Sequence, residues 1–241
     1  MPRFFCDQPL SIGAVFDLPS ALAHHVQVLR LAPGALITLF NGTGGEFTAC
    51  IGTIERKTVT VDIKAFSARE AELPYAITIA QAMPEGSKMD WIVEKAVELG
   101  ATALPPLAAQ RCVVRLAGER AEKRVQHWRA IAVSAAEQSG RNRVMQVADI
   151  DGFERYASQQ DLHLRILLTP DADNDLSQWA RHQPPQSVSL MIGPEGGFSA
   201  EEQAHASANG VLALSMGPRV LRTETAGLAA LAALNAVWGE M

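Results

Sequence analysis

The sequence predicts an α/β protein in two parts, a β-rich stretch over residues 1–72 and, over residues 73–241, strands alternating with helices around a largely parallel sheet. Three observations carry this prediction. Turn dipeptides punctuate the first part at close spacing, at Pro33-Gly34, Asn41-Gly42 and Gly44-Gly45. Thr58-Val59-Thr60-Val61-Asp62-Ile63 alternates polar and apolar residues, as a half-buried strand does. After Glu70-Ala71-Glu72-Leu73-Pro74 short apolar runs alternate with segments of helical period, the pattern of a parallel sheet covered by helices.

In the first part, strands are expected at Arg3–Cys6, Ala14–Leu18, Leu36–Phe40, Glu46–Ile54 and Thr58–Phe66. One helix interrupts them, with Ser20 placed to cap it and Leu22, Val26 and Leu29 as its apolar face. Strands this short and this close suggest a small barrel. In the second part Tyr75–Ala82 reads as a strand. Lys88–Leu99 follows as a helix that buries Met89, Ile92, Val93, Ala96 and Val97 and stops at Gly100. A longer helix over Glu119–Ser139 presents Val125, Trp128, Ala132 and Ala135 and stops at Gly140. Trp91 and Trp128 fall at helical spacings and are expected in the core. Later strands are expected at Arg165–Thr169, Val188–Ile192 and Val211–Leu214. Leu228–Trp238 is the most apolar segment. It is too short to cross a bilayer and contains Asn235, so it reads as a buried helix.

The net charge of −5 gives no global attraction for nucleic acid. The balance is uneven, however: Arg111 to Arg143 holds eight basic residues against three acidic ones. That stretch is either a phosphate-binding surface or a solvated helix face. Cys6, Cys50 and Cys112 are far apart, odd in number and form no CxxC pair, so neither a disulfide framework nor a metal site is expected. The opening MPRFFCDQPL lacks the apolar core of a signal peptide, and the expected location is the cytoplasm.

Two segments have the makings of a site. In Leu190-Met191-Ile192-Gly193-Pro194-Glu195-Gly196-Gly197 an apolar strand runs into a glycine-rich turn, and Ser199 and Glu202 have capping-box spacing for the helix that follows. Glycines at the carboxyl end of a strand let a ligand approach the backbone, at the edge where open α/β sheets bind ligands. The spacing is neither the dinucleotide fingerprint nor a P-loop. In Leu214-Ser215-Met216-Gly217-Pro218-Arg219-Val220-Leu221-Arg222-Thr223-Glu224-Thr225-Ala226 a second strand ends in a second glycine-bearing loop and a helix begins. Glu224 suits the positive end of that helix. Arg222 does not, and needs an acceptor from the protein or from a substrate.

Together the two loops resemble those of the SPOUT methyltransferases, whose C-terminal chain is threaded into a trefoil knot. Pro2-Arg3-Phe4-Phe5, His24-His25 with Arg30, Phe40-Asn41-Gly42, Lys95-Ala96-Val97-Glu98-Leu99-Gly100 and Glu137-Gln138-Ser139-Gly140-Arg141 narrow the resemblance to the RsmE-type enzymes and carry it over nearly the whole chain. The resemblance implies an N-terminal PUA-like β-barrel that binds RNA, a C-terminal SPOUT trefoil-knot domain, a homodimer, and S-adenosyl-L-methionine as cofactor. It implies methylation of N3 of a uridine in small-subunit ribosomal RNA, in the assembled subunit.

On the same ground, backbone groups of Leu168, Thr169 and Pro170, of Ile192, Gly193, Gly196 and Gly197, and of Leu214, Ser215, Met216, Gly217 and Leu221 would hold the cofactor, with Thr225 nearby. Arg222 would stabilise the anion formed on the uracil ring, and Glu195 would act as base or brace its loop. Arg3, His24, Arg30, Arg141 and Arg143 would contact RNA. Two alternatives stay open. One is a SPOUT enzyme acting on tRNA or on a ribose hydroxyl. The other is a noncatalytic RNA-binding assembly factor that keeps the fold.

Overall fold

The computed structural model describes residues 1–159 and 163–239. The chain divides into two compact units, Met1–Glu72 with Ala136–Val144, and Leu73–Ala135 with Met145–Met241.

The first unit contains β1 (Arg3–Phe5), β2 (Val15–Asp17), α1 (Ser20–Val28), β3 (Leu36–Phe40), β4 (Glu46–Ile54) and β5 (Val59–Ser67). They form a five-stranded sheet of order β1-β3-β4-β5-β2, antiparallel except for β1 beside β3. Alternation places Phe47, Ala49 and Ile51 of β4 and Val59, Val61 and Ile63 of β5 in one core with Phe4, Ile37 and Leu39. Two expectations for α1 fail. Pro19 occupies the N-cap and no side chain caps the helix, so Ser20 is its first residue. Leu29 falls at the C-cap, past the last turn, and is 46% exposed, whereas Val26 is buried as expected, with Ala23 beside it and Leu22 partly buried against the same core.

Residues 136–144 join this unit through polar contacts that no apolar period reveals. Glu137 accepts the Phe5 N–H at 2.9 Å. Arg3 pairs with Glu46 and donates to the Asn142 side chain at 2.7 Å and to the Arg141 carbonyl at 3.2 Å. Arg141 forms a two-pronged pair with Glu72, its Nε 3.1 Å from Oε1.

The second unit follows in chain order as β6 (Ile77–Ala82), α2 (Lys88–Glu98), β7 (Ala103–Leu104), β8 (Pro106–Ala108), α3 (Glu119–Ser139), β9 (Gln146–Val147), β10 (Asp151–Gly152), α4 (Phe153–Ala157), β11 (Leu164–Leu168), α5 (Leu176–Arg181), β12 (Val188–Ile192), α6 (Ala200–Ala208), β13 (Leu212–Leu214) and α7 (Thr223–Trp238). The last turn of α3 belongs to the first unit. Every pairing in this sheet is parallel, in the order β10-β8-β6-β12-β11-β13, with β7 beside β6 and β9 beside β7. Strands β6 and β12 are buried along their whole length, because helices cover both faces. Ala80, Ala82, Leu167 and Met191 point to the layer that holds α4 and α6. Ile79 and Ile192 meet α7 at Gly227, and α7 also packs on α2 and α5.

Helix α2 buries the five residues its period singles out. Trp128 of α3 is buried and donates its indole N–H to Asp90 at 3.0 Å. Trp91 is not in the core. It lies outside the apolar stripe of α2 and is 53% exposed, with the Lys95 ammonium 4.9 Å from its ring centre.

Candidate active site

Three adjacent strands, β12, β11 and β13, end in loops at the same edge of the sheet, and a cavity of about 590 Å³ lies among them. Its walls are Leu168, Thr169, Pro170 and Asp171 after β11, Ile192 and the 193–197 loop after β12, and residues 216, 217 and 219–224 after β13.

The loop after β12 is tight. Gly197 donates its N–H to the Pro194 carbonyl at 2.8 Å, which folds the turn back onto its own start. A Cβ on Gly193 would lie 3.0 Å from both the Gly197 Cα and the Phe198 N, so a side chain there would force the backbone of the turn to give by a few tenths of an ångström. The expected capping box then starts α6. Ser199 accepts the Glu202 N–H at 3.1 Å, and Glu202 accepts the Ser199 N–H at 2.8 Å. Buried Glu202 also takes the Gln110 N–H at 2.7 Å, which anchors the helix start to the loop after β8. Gly193→Ala is expected to open this turn and weaken ligand binding by about tenfold or more while the protein stays folded, since backbone must move to admit one methyl. Calorimetric titration of the variant checks it, and wild-type affinity would show that the turn tolerates a side chain.

The loop after β13 is tied to the loop after β11. Ser215 donates its N–H to the Asn174 carbonyl at 2.8 Å, and the Leu176 N–H returns to the Ser215 carbonyl at 2.9 Å. Leu214 and Ser215 are consequently buried behind the wall rather than on it, and Thr225 is exposed on α7 outside the cavity. The other predicted cofactor positions, Leu168, Thr169, Pro170, Ile192, Gly193, Gly196, Gly197, Met216, Gly217 and Leu221, come together around the one cavity. Gly217 has φ +85°, a backbone conformation that lets the second loop turn without a Cβ clash.

A chain of charges links the cavity walls. Lys88, the first residue of α2, donates to Glu195 at 2.5 Å and lies 3.9 Å from Glu224. Glu224 lies 4.0 Å from Arg222. Burial by itself would raise the Glu195 carboxyl. The Lys88 hydrogen bond, with backbone N–H groups and the Lys88 charge, outweighs it and holds Glu195 below the usual carboxylate range. A carboxylate so stabilised is a weak base and a firm brace. Arg222 is the N-cap of α7, and its side chain is 84% exposed at the cavity mouth. Arg111, which also lines the cavity, donates to the Gly196 carbonyl at 2.8 Å and supports the glycine loop.

Sequence reasoning missed Lys88, Arg111, Thr223 and Gln81. The first two were visible only as a helix start and as part of a basic stretch. Thr223 donates its hydroxyl to the Gly193 carbonyl at 2.6 Å and accepts from the Gln81 amide at 2.9 Å, contacts that join segments far apart in the chain.

The residues read as RNA contacts all lie in the first unit, and they divide. His24, Arg30 and Arg143 are exposed. Arg30 has φ +53°, the only positive value among the described non-glycine residues, at the left-handed position after α1. Arg141 is a correction. It is 3% exposed and its guanidinium faces Glu72, so it does not present its charge to a phosphate. Arg3 is likewise mostly buried and paired with Glu46.

Among the described residues no helix is long and apolar enough to cross a membrane. Residues 71–235 match the RNA methyltransferase domain family, and residues 18–64 match the RNA methyltransferase PUA domain. The chain is 32% identical to the ribosomal RNA small subunit methyltransferase E of Bacillus subtilis, over 98% of this chain and 96% of that one. The crystal structure of a ribosomal RNA small subunit methyltransferase E from Neisseria gonorrhoeae, bound to S-adenosyl methionine, superposes with a TM-score of 0.93 at 38% identity and covers 99% of this chain and 98% of that one. A putative methyltransferase from Legionella pneumophila, in complex with the same cofactor, superposes with a TM-score of 0.91 at 37% identity, over 97% and 96% of the two chains.

Proposed function

This chain belongs to the RNA methyltransferase family, and from that premise we propose that it transfers a methyl group from S-adenosylmethionine to N3 of a uridine in small-subunit ribosomal RNA. The observation that carries the reading is the cavity at the ends of β12, β11 and β13, walled by backbone-rich glycine loops and flanked at its mouth by the exposed Arg222.

The residues present fit the cofactor. A cavity of this volume suits a small molecule. Ile192, Met216 and Leu221 offer apolar surface to a flat ring, and loop backbone offers donors and acceptors around it. Asp171, Glu195 and Glu224 provide negative charge near a cationic ligand. When bound, S-adenosylmethionine supplies an electrophilic methyl on a sulfonium. The chain's part is alignment and charge. The loops fix the donor so that an incoming nitrogen can approach in line. Uridine N3 carries a proton, which would pass to solvent water at the open cavity mouth, and its loss leaves negative charge on the ring. The Arg222 guanidinium, two-pronged and unburied, suits that anion. Glu195, held ionised, braces the first glycine loop through Lys88 and the Glu85 N–H rather than taking that proton.

His24, Arg30 and Arg143 are the proposed RNA contacts of the first unit. Arg30→Gly separates this role from the fold, because glycine is the favoured residue at a left-handed position after a helix. The variant should keep or gain about 1 kcal/mol of stability, yet bind RNA more weakly, with a salt dependence reduced by about one phosphate contact. Unchanged binding at two salt concentrations would remove Arg30 from the interface.

The reading also includes a homodimer, a cytoplasmic location, the assembled small subunit as substrate and a threaded C-terminal knot. The last is supported by the tie of the β13 loop to residues 174–176 and by the return of α7 onto β12 and β6. The test is to incubate the protein with labelled cofactor and naked ribosomal RNA, free small subunits or transfer RNA, and to map the product. Label at one uridine of small-subunit RNA, with its pairing edge blocked to reverse transcription, is expected. Label in transfer RNA, or on a ribose hydroxyl, overturns the substrate assignment.

A further inference from the structure

We propose that Gln81 and Thr223 form a positioning relay that fixes the cofactor loop and Arg222 relative to each other, and that turnover depends on it. The inference rests on the methyltransferase reading of the cavity and adds two residues to it.

Gln81 lies on β6 and is fully buried. Its amide nitrogen donates to the Ala82 carbonyl at 2.8 Å and to the Thr223 hydroxyl at 2.9 Å. The carbonyl identifies the nitrogen, since two acceptors would repel. Because the Thr223 oxygen accepts from Gln81, its proton is free to point elsewhere, and the Gly193 carbonyl lies 2.6 Å away. The three groups thus form one directed chain, from strand β6 through the first residue of α7 to the first glycine of the cofactor loop.

The chain has a cost that packing alone does not explain. The Gln81 side-chain oxygen is buried and finds no partner among the described residues. An unsatisfied buried acceptor is unfavourable, and an apolar residue of similar volume avoids it. A glutamine buried near the carboxyl end of β6, where only Thr78 is also polar, points to a task for its two N–H groups. That task follows from where the relay ends. Thr223 directly follows Arg222, the N-cap that leaves α7 towards the cavity mouth. Gly193 opens the loop that walls the same cavity. A hydroxyl bonded to Gly193 therefore sets how far Arg222 stands from whatever the loop holds. Displacements of an ångström between reacting groups cost orders of magnitude in rate.

The test uses the full-length protein and the variants Thr223→Val, Thr223→Ser and Gln81→Met. Thr223→Val keeps the shape and loses the hydroxyl. It should lower kcat by about tenfold or more at a temperature where its circular dichroism matches wild type, with cofactor affinity and the KM for RNA changed far less. Thr223→Ser should restore kcat to within about threefold. Gln81→Met should lower kcat while the melting temperature holds, and the Gln81→Met/Thr223→Val double variant should lose no more than the worse single one. A purely structural pair would instead lower the melting temperature and leave the kcat of folded protein at the wild-type value, which overturns the proposal. Amide hydrogen exchange gives a readout independent of chemistry. Exchange at residues 194–198 and 223–226 should quicken together in Thr223→Val and recover in Thr223→Ser. If wild type transfers no methyl, the functional reading falls, and the exchange data still decide the relay: unchanged protection in both segments overturns it.

Discussion

Arg222→Ala is expected to lower kcat for methyl transfer by about a hundredfold or more and to leave the affinity for S-adenosylmethionine within about threefold of wild type. The side chain is 84% exposed, and among the described residues it makes only a 4.0 Å approach to Glu224 as an ion pair, so removing it disturbs little of the folded protein. Its exposure at the cavity mouth leaves it available to charge that develops on the substrate. Arg222→Lys keeps the charge but not the planar fork, and should recover only part of the rate. Calorimetry and single-turnover kinetics separate the outcomes. Equal losses in affinity and rate would assign Arg222 to the cofactor instead, and a lowered melting temperature would make it a structural residue.

Arg141→Ala has the largest expected effect on stability. Glu72 would be left with a mostly buried charge and no bidentate partner, a loss of about 3 kcal/mol and roughly 10 °C in the first thermal transition. Arg141→Lys should rescue poorly because one ammonium cannot reproduce two parallel hydrogen bonds. If Arg141 served RNA, the variant would melt like wild type and bind RNA more weakly. Thermal denaturation and RNA titration of the same sample distinguish the two.

Much of the fold was legible because the physics that forms it is local. The β3, β4 and β12 boundaries follow from alternation or an apolar run, and the buried face of α2 from its period. The Ser199–Glu202 box could be read because its two partners are three residues apart. The candidate cavity was legible to the same depth. Glycine loops at strand ends announce themselves, and Arg222 stood out as a cation at the wrong end of a helix. What escaped was set by distance along the chain. Gln81 meets Thr223, Lys88 meets Glu195 and Arg141 meets Glu72 only after folding, and no spacing rule connects them. Strands β7, β9 and β10 have two residues each, too few for any period. Trp91 was misassigned because aromatic character at helical spacing does not say which side of the helix faces solvent.

The placement of β12 between β6 and β11 has a consequence for how the enzyme comes into being. Ile77 hydrogen-bonds alongside Val188, so the centre of the sheet joins regions made early and late in synthesis. Such long-range parallel pairing raises contact order and slows folding. An emerging chain can complete the small first sheet while the larger one still waits for its central strand. In a freshly translated molecule the cavity at the ends of β12, β11 and β13 can therefore close only after α7 has been made, because Arg222 and Thr223 at the start of that helix form part of its wall.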